Sequence, residues 1–71
     1  MSLWEVTLYV SEYTAKDMLE LGRKQHVVTV GASSEEQAVS LAWAKVADKL
    51  KRKKRAGVQR GYDAVELGGG W

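Results

Sequence analysis

With 71 residues, no cysteine and no proline, the chain has room for one domain with one small core. That core must be held without disulfides, thiolate zinc sites or thiol chemistry. Hydrophobic residues at 45% and charged residues at 28% are the balance of a folded domain rather than a disordered tail. The net charge of +2 is unevenly spread: residues 1–50 carry five basic against seven acidic residues, and residues 51–71 carry six against two. An acidic body with a cationic end can steer an anionic partner. No apolar run approaches the roughly 18 residues of a membrane span. The start, MSLWEVTLYV, lacks the basic region of a leader peptide and reads as a strand, so a cytoplasmic location is expected.

In chain order, LWEVTLYVSEY alternates. Trp4, Val6, Leu8 and Val10 share one face of a strand, and Glu5, Thr7, Tyr9 and Ser11 share the other. The segment 12–25 is open to two readings: Thr14 with Asp17 caps a short helix ending at Gly22, or the stretch is a loop or an irregular strand pairing. HVVTV is a second strand, with His26, Val28 and Val30 inward and Val27 and Thr29 outward.

The helix that follows is the clearest element. Ser33 with Glu36 and Ser34 with Gln37 have capping-box spacing. Glu35 and Glu36 in the first turn and the bases in the last turns suit the helix dipole. Val39, Ala42, Trp43, Val46 and Leu50 form one apolar stripe, widened by Ala38, whereas Leu41 falls off it. Gly57 and Gly61 are expected to bracket a loop. YDAVEL is then the last strand, with Val65 and Leu67 on one side. The expected architecture is α+β in the order β-β-α-β, a small three-stranded sheet with one long helix across one face. The domain spans 1–67 and is followed by a flexible tail, 68–71.

Chemistry is sparsely encoded. His26 is the only histidine and has no adjacent partner for general-base work. Ser33 and Ser34 are explained as caps, and no nucleophile elbow or metal-ligand spacing occurs. No enzyme activity and no cofactor are expected. The marked feature is KLKRKKRAGVQRG, which holds seven of the eleven Lys and Arg residues: Lys49, Lys51, Arg52, Lys53, Lys54, Arg55 and Arg60. Capping a helix needs only one or two of them, so contact with an anionic surface is favoured over simple solvation. Since Leu50 ends the apolar stripe, Lys51 to Arg55 are expected to project as a cationic spur. The run has no interleaved aromatics for base stacking, so any nucleic-acid binding would be led by the phosphate backbone. Tyr9 on the outer strand face and Trp71 at the end are candidate aromatic contacts.

The segment GASSEEQAVSLAWAKVADKL resembles the strand–helix end of double-stranded RNA-binding domains, with Ser33, Ser34, Ala38, Ala42 and Lys45 matching in kind. That family has lysines at the helix start to hold phosphates; this chain has Glu35 and Glu36 there and lacks the family's leading helix. In size and layout, carried by Val28 to Ala42, the chain also resembles small phage-encoded accessory proteins of the anti-CRISPR type. That resemblance implies a non-enzymatic protein that occludes or recruits a larger machine.

The expected function is therefore protein–protein contact with a larger protein or nucleoprotein assembly. The alternative is sequence-nonspecific binding of a DNA or RNA backbone through Lys49 to Arg60. No membrane partner is expected. Homodimerisation is a further way for so small a domain to gain stability.

Overall fold

The computed structural model describes residues 1–68. Three long strands and one helix follow in the order β1 (Ser2–Thr14), β2 (Glu20–Ala32), α1 (Glu35–Arg52) and β3 (Arg55–Gly68). The small α+β architecture is thus the expected one. β1 lies in the centre of an antiparallel sheet of order β2-β1-β3. The helix leaves one edge strand and returns the chain to the other, crossing one sheet face. The molecule is long and thin, 46 × 19 × 14 Å.

The alternation of β1 sets the core. Val6, Leu8 and Val10 are fully buried under Ala38, Ala42, Val46 and Leu50 of the helix, with Val30 and Ala32 from β2. Trp4, Val28, Val39, Trp43 and Ala64 pack around this centre. The Trp4 indole N–H donates to the Ala32 carbonyl at 3.2 Å. Leu41, off the stripe, is exposed. Ser34 caps the helix by accepting from the Gln37 N–H at 3.2 Å. The reciprocal arm shifts by one residue: the Ser33 N–H and hydroxyl both donate to Gln37 Oε1, at 2.8 and 2.7 Å.

Segment 12–25 resolves as strand pairing, not helix. β1 and β2 form a hairpin whose turn is tied by Thr14: its N–H donates to the Leu19 carbonyl, its carbonyl accepts from the Met18 N–H, and its hydroxyl accepts from the Leu19 N–H. Thr14 therefore caps a turn. A register shift opposite Glu12 and Tyr13 leaves Leu21 unpaired, and Gly22 takes φ +111° beside it, a conformation that strongly favours glycine.

The expected loop from Gly57 to Gly61 is not formed, because β3 already starts at Arg55. Gly57 faces the core there. A Cβ on it would lie 2.7 Å from Leu50 Cδ1 and 2.9 Å from Val10 Cγ1, so this glycine admits the end of the helix onto the sheet. The cationic spur is corrected likewise. The helix ends at Arg52, Lys53 caps it, and Lys54 at φ +57° reverses the chain into β3. β3 includes Gly68, paired with Leu3; the rest of the expected tail, with Trp71, lies outside the described residues.

Candidate functional site

The basic run does not form one patch. Lys49, Lys51, Lys53 and Lys54 are exposed around the helix C-terminus and the turn into β3. Arg52 is spent on Asp48, one helical turn back, at 3.1 Å. Arg55, the first residue of β3, turns inward to Glu12 Oε1 at 3.5 Å. Arg60 lies on the opposite sheet face, where its Nε–H donates to Ser11 Oγ at 3.4 Å. A shift in the β1–β3 register between Tyr9 and Val10 puts Arg60 there: a bulge adds one residue and re-aims the side chain. What remains exposed and without an ion-pair partner among the described residues is the four lysines.

Glu12 was not singled out by sequence, yet its side chain is only 2% exposed. Strand parity carried the signal, since Glu12 continues the face of Val6, Leu8 and Val10. Arg55 and His26 flank it, with His26 Nε2 at 3.4 Å from Glu12 Oε2. That approach lacks hydrogen-bonding geometry, and both atoms are without a hydrogen-bond partner. Among the described residues no group of three His, Asp or Glu side chains is arranged to hold a metal ion.

Among the described residues no layer covers the second sheet face. Its rows are read across the strands from β2 to β3: Thr29–Glu5–Val65, Val27–Thr7–Asp63, Gln25–Tyr9–Gly61, Arg23–Ser11–Val58 and Glu20–Tyr13–Ala56. Val27, Val58 and Val65 are 60%, 46% and 55% exposed. Tyr9, the expected aromatic contact, stands half-buried in the middle, and its hydroxyl donates to Asp63 Oδ2 at 2.6 Å. Beside it, where Gly61 has no side chain, a shallow hollow of about 340 Å³ is lined by Tyr9, Arg23, Lys24, Gln25, Arg60 and Gly61. The open face is therefore apolar at several points, with Glu5 and Asp63 towards one end and the arginines, with Glu20 beyond them, towards the other.

The hydrogen bond to Asp63, then partial burial, then the Asp63 charge hold the Tyr9 phenol above its ordinary value of 10.0. All three disfavour the phenolate. A folded-state value above the unfolded one means that the bond's contribution is complete below pH 10 and lost as pH rises through the raised value. In ultraviolet titration Tyr9 should ionise late, and Asp63→Asn should lower its midpoint. A midpoint unmoved by Asp63→Asn would refute the bond.

No helix among the described residues is long and apolar enough to cross a membrane. In comparison with known proteins, no family model matches the chain, and neither a curated protein nor a solved structure is similar to it.

Proposed function

We propose that this is a small non-enzymatic binding protein that works by protein–protein contact through its open sheet face. One observation carries the reading: three aliphatic side chains, Val27, Val58 and Val65, stand exposed on a face that no second layer of the described residues covers. Antiparallel sheets tolerate a wet face, but such faces are ordinarily polar. Here aliphatic residues surround a central tyrosine, the mixture typical of interface cores. A thin body with one functional face suits a protein that occludes or recruits a larger protein or nucleoprotein assembly, as in the phage-encoded accessory proteins it resembles.

The test uses Val27→Glu and Val65→Glu. Both positions are exposed, so each variant should melt within about 0.5 kcal/mol of the wild type. Each should also weaken binding to a protein recovered with the intact chain by about tenfold or more, because a charge is then desolvated in the contact. Unchanged affinity in both variants would reject the face.

A second reading rests on a separate observation. Lys49, Lys51, Lys53 and Lys54 make no ion pair among the described residues, and Lys54 occupies a left-handed position where glycine is the less strained choice. On this reading the lysine turn grips a phosphate backbone. Affinity for duplex DNA or RNA should then fall steeply with salt, as counterions are released, and Lys53→Glu with Lys54→Glu should remove most of it. Affinity indifferent to salt rejects this reading.

A further inference from the structure

We propose that the open sheet face is closed by a second copy of this chain, related by a two-fold axis that lies parallel to the sheet and across the strands. The proposal rests on the open face being a protein contact, and it names the occupant. Charge placement is the first argument. A closed two-fold interface must be self-complementary. An axis across the strands reverses them, so the end of the face near the start of β1 meets the end near the hairpin. The acids Glu5 and Asp63 lie in the first half, in the rows of Thr29 and Val27. The arginines Arg23 and Arg60 lie in the second, around Ser11, with Glu20 beyond them opposite Tyr13. With the axis between the Thr7 and Tyr9 rows, Arg60 of each copy comes over Asp63 of the other, and Arg23 comes towards Glu5. The same operation lays Val58 over Val65. A second copy that kept the strand direction would instead stack arginine on arginine.

Shape and area agree. The Tyr9 row contains Gly61, so there is no side chain on β3 to hold the sheets apart near the axis. The face is three strands wide, at a spacing of about 4.8 Å, and the molecule is 46 Å long. That is on the order of 650 Å² before surface roughness, close to the ~800 Å² per partner of a stable interface. The pairing also supplies what the protomer lacks. A single sheet–helix pair leaves one face wet, whereas two copies give four layers with both sheets covered. The lysine turns belong to the helix side and stay exposed in the pair, so they do not oppose it.

The experiment measures the mass of the full chain by light scattering after gel filtration, from low micromolar to millimolar concentration. The wild type should reach twice the protomer mass. Arg60→Asp and Asp63→Arg should each fold, as judged by circular dichroism, but dimerise about tenfold or more weakly, because like charges then face one another at two symmetric points. Mixed in equal amounts, they should form a heterodimer, since the mixture restores both opposite-charge contacts. Wild type that stays monomeric at millimolar concentration overturns the proposal, as does failure of the two variants to rescue one another. The wider reading fails separately. A monomeric wild type whose open-face amides gain exchange protection on adding a different protein keeps the contact face and rejects self-pairing. A dimer unmoved by Arg60→Asp, Asp63→Arg and Val65→Glu rejects both.

Discussion

Val46→Asp is expected to unfold the domain. Val46 is fully buried at the middle of the helix stripe, between Ala42 and Leu50, and belongs to the same core as Val6, Leu8 and Val10. The substitution removes an aliphatic side chain whose burial is worth roughly 1.5 kcal/mol or more. It also puts a carboxylate where nothing can pair with it, at a further cost of about several kcal/mol. A core of this size rarely supplies more than about 3–5 kcal/mol in total, so the loss exceeds what is there. Far-ultraviolet circular dichroism and thermal melting are the measurements, and loss of the cooperative transition is the expected result. Leu41→Asp, on the exposed side of the same helix, is the control and should melt almost as the wild type. A wild-type transition in Val46→Asp would mean that the stripe faces water.

The second large effect is at Arg55. Glu12 is buried on the helix-covered face, flanked by Arg55 and His26. Since the His26 approach lacks hydrogen-bonding geometry, Arg55 is the main compensation. Arg55→Ala should destabilise the protein by about 3 kcal/mol, chiefly because Glu12 is left buried without its counter-charge. The arginine itself is about one-third exposed, so the cost arises at Glu12 rather than from a strong pair. This leads to an asymmetric outcome. Glu12→Met combined with Arg55→Met keeps the volume and buries no charge, and it should recover most or all of the lost stability in urea unfolding. If Arg55→Ala alone costs under about 1 kcal/mol, Glu12 is satisfied without Arg55. The candidate anion-binding run thus divides by role, since one of its seven bases belongs to the fold.

What the chain determined by itself is what its local periods and caps express. Alternation over Trp4 to Val10 placed β1's inner face. The stripe from Ala38 to Leu50 placed the helix, and Ser34 placed its start. Each depends on residues within a turn or a few strand positions, so no distant partner is needed to see it. Tertiary structure decided the rest. Gly57 reads locally as a loop residue, yet it sits in a strand because Leu50 and Val10 need the space a Cβ would fill. Glu12 looks like a surface acid at the end of a strand until β2 and β3 bring His26 and Arg55 to it. The basic run is continuous in sequence, but the chain reversal at Lys54 and the bulge beside Arg60 divide it. Four lysines stay in solvent, one arginine turns under the helix, and another joins Tyr9 on the far side of the sheet. Composition counts charges without regard to direction, and only the pairing of β3 with β1 gave each of these side chains a face.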